Sequence, residues 1–290
     1  MINLLKRYLV YSVVFGGLLL PLCPCNGQVT NHKHPVCDYL GPPPPGDEPI
    51  VFAPGIVSTE ADQYRLVVSP TKQDIFYCEG PHLYHIARKA DGSGWHDPVI
   101  APFSEDIDGE ACFSADGSKL YFCSRRPFPG AKVPMNLWVS EKVNGTWGKA
   151  THFEGPVNDQ TVHTPSVTAN GNLYASGLIR FKFVDGTYQA AEKLSPDIKG
   201  THPFVAPDES YIIFGARDSG SYTFKLRITF RKPDGTWTPG RELNDKINST
   251  GTEGAATVTP DGLYMFFTRQ HDIYWVKGEF IERLRAVMVE

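Results

Sequence analysis

Apolar residues along this chain come in short runs, each closed by a polar turn, and one such turn recurs five times. The copies are Ser69-Pro70-Thr71-Lys72, Ser114-Ala115-Asp116-Gly117, Thr168-Ala169-Asn170-Gly171, Ala206-Pro207-Asp208-Glu209 and Thr259-Pro260-Asp261-Gly262. Proline presets φ at the second position, Asp or Asn bonds its own backbone, and glycine takes the left-handed conformation, so the tetrapeptide closes a hairpin. A run rich in aromatic and branched residues follows each turn, as in Asp74-Ile75-Phe76-Tyr77, Leu120-Tyr121-Phe122-Cys123 and Tyr211-Ile212-Ile213-Phe214. These residue types suit a strand. Most copies continue with a third strand, at Leu83–Ile86, Leu137–Ser140, Leu226–Thr229 and Ile273–Val276. A second polar turn then delivers an aromatic, namely Trp95, Trp147, Tyr188 or Trp237. Four antiparallel strands per repeat make a propeller blade.

The fifth copy stops before that second turn, while the stretch Ile50 to Val57 looks like a strand without a partner. If it supplies the outer strand of the last blade, the two ends of the chain join and no sheet edge stays open. The expected fold is therefore an all-β, five-bladed propeller over residues 50–290. Turn-to-turn spacings of 45, 54, 38 and 53 residues fit blades of that size, whereas six blades would need a copy that the sequence does not contain.

Ahead of the repeats, Lys6 and Arg7 precede an apolar run from Tyr8 to Leu22, too short to span a bilayer as a helix. Residues 1–27 read as a signal peptide cleaved after Gly27, and residues 28–49, with Pro42 to Pro45, as an extended linker. Cys23 and Cys25 raise a lipid anchor as the alternative, against which Leu22 and Pro24 are poor residues to stand before a lipidated cysteine. The expected product is periplasmic or secreted, monomeric and without a membrane span. Cleavage removes two positive charges and takes the formal charge from -4 to -6, which argues against nucleic acid or an anionic membrane as partner. An oxidising compartment permits Cys37, Cys78, Cys112 and Cys123 to pair in any of three ways, or to remain buried thiols. The sequons at Asn144 and Asn248 would matter only in a eukaryotic secretory pathway.

The Ser-Pro-Asp-Gly type of turn followed by Leu-Tyr-Phe resembles the WD40-like (PD40) repeat of TolB and its relatives. Leu120 to Pro127, Ala206 to Tyr211 and Asp272 to Val276 are similar to stretches in uncharacterised secreted members of that group. The resemblance covers most of the chain after the leader and implies a propeller that binds other envelope proteins. The aspartate that the family often carries before the third strand is kept at Asp272, where His82, Asn136 and Lys225 stand in other copies.

In an antiparallel hairpin the start of the first strand and the end of the second lie together, so residues at both places are expected at one mouth of the ring. Glu60, Glu110, His163, His202 and Glu253 stand near the first-strand starts; Arg125, Arg126, Arg217 and Arg269 close second strands. The expected ligand-binding set is Glu110, Arg125, Arg126, His163, His202, Arg217, Glu253 and Arg269, contacting an envelope protein or a glycan. The bland alternative is a solvated rim whose charges neutralise one another. The enzymatic alternative is a glycoside hydrolase or lyase working through two of Glu60, Glu110 and Glu253. No His-Glu-x-x-His spacing, nucleophile elbow or phosphate-binding glycine loop occurs, so neither a metal nor a cofactor is expected.

Overall fold

The computed structural model describes residues 39–40, 43–105, 107–195 and 197–289. The leader with its cleavage site, both candidate lipidation cysteines, Cys37 and part of the linker lie outside the described residues.

Five antiparallel four-stranded sheets form a five-bladed β-propeller. Their inner strands are Gln63–Val68, Asp108–Phe113, Ser166–Val167, Thr201–Val205 and Glu253–Val258. Between neighbouring strands sits the repeated turn. In every copy the fourth residue donates its N–H to the carbonyl of the first, at 2.8 to 2.9 Å. That fourth residue has positive φ throughout: Gly117, Gly171 and Gly262, but also Lys72 at 55° and Glu209 at 58°. The turn geometry persists where glycine is missing because the side chain of the first or third residue holds it, as when Ser69 Oγ accepts from the N–H of Gln73 and Asp74.

The second strands, such as Tyr211–Ala216, are buried on both faces, because each blade packs against two others. Five apolar clusters follow, one at each blade-to-blade contact. Phe76, Phe113, Phe122 and Trp147 fill the contact between the first two blades, and Phe52, Tyr77, Phe266 and Trp275 the contact between the fifth and the first.

The fourth strand of each of the first four blades is split. Trp95 faces Arg88, but Val99 then faces His85, a slip of one place in register. The same slip separates Trp147 from Thr151, Tyr188 from Glu192 and Trp237 from Arg241. The aromatic hairpin expected from sequence is therefore the inner half of a kinked outer strand.

The ring closes as the repeats imply, with Ile50 opposite Trp275 and Val51 opposite Tyr274. The closing strand is shorter than the stretch Ile50 to Val57. After Phe52, whose N–H reaches the carbonyl of Ile273 at 2.8 Å, the chain turns back so that Val57 N–H meets the Ala53 carbonyl at 2.9 Å. Ahead of it, Tyr39 is buried and donates to Asp261 at 2.9 Å, and the Gly46 carbonyl accepts from Lys277 N–H. A C-terminal helix, Phe280–Met288, docks Phe280, Ile281, Leu284 and Met288 into the cluster between the fourth and fifth blades.

Candidate functional site: the channel axis

The inner strands share a second irregularity. Register shifts fall between Tyr64 and Val67, Gly109 and Cys112, Thr201 and Phe204, and Gly254 and Thr257. Each bulge contains one non-glycine residue in the left-handed region, namely Arg65, Glu110, His202 and Ala255, and Thr164 does the same before the short third-blade strand. All five lie seven residues ahead of the fourth residue of the following turn. A side chain in that conformation costs about 1 kcal/mol, and five of them at one level of a ring mark a built feature. Their side chains meet at the channel.

Arg65 crosses the axis. Its Nε donates to the carbonyl of Ala111 at 3.3 Å, Nη1 to Ala256 at 3.2 Å and Nη2 to Pro165 at 3.2 Å, so one side chain reaches three other blades. On one side of it opens a cavity of about 390 Å³, lined by Tyr64, Glu110, His202, Phe224, Thr268 and Gln270 among others. Here Glu110 Oε2 accepts from the Thr164 hydroxyl at 2.8 Å, and Oε1 lies 3.7 Å from His202 Nε2. Burial pushes the His202 imidazole below its ordinary value. The Glu110 carboxylate works against that, while Arg65 and His163 add to it. At neutral pH His202 is therefore an uncharged donor or acceptor. Tyr64 approaches through a gap that only glycine leaves, since a Cβ on Gly109 would stand 2.8 Å from its hydroxyl. The Cys78 sulfur, burial and Glu110 hold that phenol far above its usual range, and it stays protonated.

The other residues singled out in the sequence have different surroundings. Glu253 is fully buried, and its carboxylate takes Ser249 N–H at 3.0 Å, Lys225 at 3.3 Å and Arg269 at 3.3 Å. Arg269 further donates to the Lys246 and Ile247 carbonyls and lies over Tyr274. Arg126 is buried, paired with Asp108, bonded to the Phe103 carbonyl at 3.1 Å and stacked on Trp138. These three are clamps, and the Glu253–Lys225 pair ties the fifth blade to the fourth. His163 precedes Thr164 and acts on His202 by charge. Arg125 and Arg217 are exposed at the rim, Arg217 over the ring of Phe224 at 4.6 Å. Glu60 is exposed on the loop before the first blade. Of the three carboxylates named for hydrolysis, Glu110 and Glu253 both line the cavity, Glu253 with its oxygens taken by Ser249, Lys225 and Arg269, while Glu60 is not part of the lining.

Arg65 escaped the sequence reading. Counting back a constant seven residues from each turn would have found it, whereas strand starts, which are hard to place from sequence, pointed to Glu60 in that blade.

Cys78, Cys112 and Cys123 are buried free thiols. Burial raises Cys78 and Cys112 to about 12, so neither is a nucleophile. Among the described residues no group of three His, Cys, Asp or Glu side chains could hold a metal ion. Asn248 is buried, its amide bonded to the Leu226 and Leu243 carbonyls at 3.0 Å, which removes it as a glycosylation acceptor.

No family model matches the chain, and no curated protein matches it. Solved structures do. A TolB-type structure from Agrobacterium tumefaciens aligns at 14% identity over 72% of this chain and 70% of its own, with a TM-score of 0.45. TolB from Acinetobacter baumannii aligns at 14% over 77% of this chain, which spans 56% of that protein, with a TM-score of 0.45. A gluconolactonase from Xanthomonas campestris aligns at 13% over 81% and 97%, with a TM-score of 0.44. Likeness this distant carries none of their chemistry over. The chain is a five-bladed β-propeller with Arg65, Glu110, Thr164 and His202 on its axis.

Proposed function

We propose that the protein is a non-catalytic binding propeller of the periplasm or extracellular space, and that its ligand enters the channel at Glu110 and His202. The observation that supports this reading is the Glu110–His202 pair itself. Two side chains from the second and fourth blades are held by strained backbone, partly buried, and open to a cavity of about 390 Å³. A carboxylate beside a neutral imidazole accepts hydrogen bonds, and Tyr64 and Phe224 supply apolar ring surface. The set fits an end group that donates, either a basic side chain of an envelope protein or a hydroxylated sugar ring. Arg217 and Arg125 at the rim make outer contacts. No helix among the described residues is long and apolar enough to cross a membrane.

The test is capture of envelope proteins, together with a glycan screen, using the wild type, Glu110→Gln and His202→Ala. Loss of one charge-assisted bond in a partly buried site lowers affinity by about tenfold or more, and no glycan is turned over. Unchanged affinity in folded variants rejects the channel as the binding site, and turnover that vanishes in Glu110→Gln replaces binding by catalysis.

A further inference from the structure

Beyond Arg65, on the turn side of the ring, lies a second chamber of about 650 Å³. Every blade contributes apolar side chains to its wall, among them Val67, Phe113, Val167, Phe204 and Val258. None of the described residues lines both chambers, so Arg65 is the partition between them.

Among the described residues no carboxylate pairs with the charge of Arg65. A guanidinium keeps its proton at any pH a protein tolerates. The side chain is only 1% exposed, and its partners are carbonyl oxygens at 3.2 to 3.3 Å. Carbonyl dipoles solvate a cation without cancelling it, and three bonds leave some of its five N–H donors over. Glu110, the carboxylate at the equivalent ring position, turns instead to Thr164 and His202. A buried charge without an opposite charge is costly, and apolar walls raise the gain from bringing one to it.

We infer that the turn-side chamber binds an organic anion with an apolar body, its carboxylate directed at Arg65 and its hydrocarbon part along Val167, Phe204 and Val258. At the outer rim Asp261 is paired with Lys72 and Glu282 with Arg285, so the anion is recognised at Arg65 and not at the rim. The site is separate from the Glu110–His202 mouth, so either reading can fail without the other.

Calorimetric titration of the full chain with octanoate, and with octan-1-ol as the uncharged probe of equal length, tests it. Octanoate binds saturably and about tenfold or more tighter than the alcohol, and Arg65→Gln removes that preference. Val258→Trp fills the chamber and leaves Arg65 in place. It abolishes octanoate binding while unfolding stays cooperative, and it decides the matter if Arg65→Gln fails to fold. Absence of saturable binding, equal binding of the two probes, or octanoate binding that survives Val258→Trp overturns the inference.

Discussion

Asp74 opens the second strand of the first blade, and groups from two blades converge on its buried carboxylate. His85 Nε2 lies at 2.8 Å, Lys142 Nζ at 2.6 Å and the Trp147 indole nitrogen at 3.2 Å. Burial alone would raise its pKa, but the hydrogen bonds from His85, Lys142 and Trp147 and the charge of Lys142 outweigh it, leaving Asp74 below its ordinary value. A carboxyl whose folded pKa lies below the unfolded one stabilises the fold fully above the unfolded value of about 3.9. That contribution is lost as pH falls through the folded value. Urea denaturation of Asp74→Asn should show a loss of about 3 kcal/mol at neutral pH, because the substitution leaves Lys142 partly buried without its partner. The gap between variant and wild type should close on acidification below pH ~4. A gap independent of pH would mean that packing, and not the charge, holds this corner together.

At the scale of elements, the split outer strand explains why the first four repeats carry a tryptophan or tyrosine. The one-place slip lets the inner half of the strand turn its aromatic toward a neighbouring blade. Trp147 meets Phe76 edge-on at 5.4 Å and lies 6.0 Å from Phe113. Trp147→Ala should cost about 4 kcal/mol by chemical denaturation, as for other large aromatic truncations in a core. Trp95 is more exposed and its truncation should cost clearly less. The aromatic was legible as a recurring residue after Asp-Gly or Asn-Gly turns; its slip in register was not, since pairing on either side of a bulge depends on the partner strand. The C-terminal helix went unread for a related reason. Its apolar positions Phe280, Ile281, Leu284 and Met288 have helical spacing, but they follow directly on a strand and no repeat announces them.

At the scale of the molecule, stability rests on five similar interfaces arranged in a ring, and the strand from Ile50 holds the fifth sheet to the start of the chain. Phe52 is fully buried there, edge-on to Phe266 at 4.9 Å and to Trp275 at 5.2 Å. A chain beginning at Ala53 should keep its turns and strands yet open at this seam. Its urea midpoint should fall, and the amides of Tyr274 and Trp275 should exchange faster in hydrogen–deuterium measurements than those of the third blade. Equal protection throughout would show that the apolar interface alone closes the ring.

Local chemistry determined most of the architecture. Turn composition, strand composition and the number of copies are properties of short segments, and they sufficed for the blade, the count of five and the joining of the two ends. The pairings at the axis are long-range. Glu110 meets Thr164 and His202, and Arg65 reaches Ala111, Pro165 and Ala256, across separations of up to 191 residues. Which charges became clamps, as Glu253 with Arg269 and Arg126 with Asp108 did, and which stayed open to the channel was decided by burial and by which blade stood opposite. A sequence lists ionisable groups, but only the closed ring assigns each one its neighbour and its share of water.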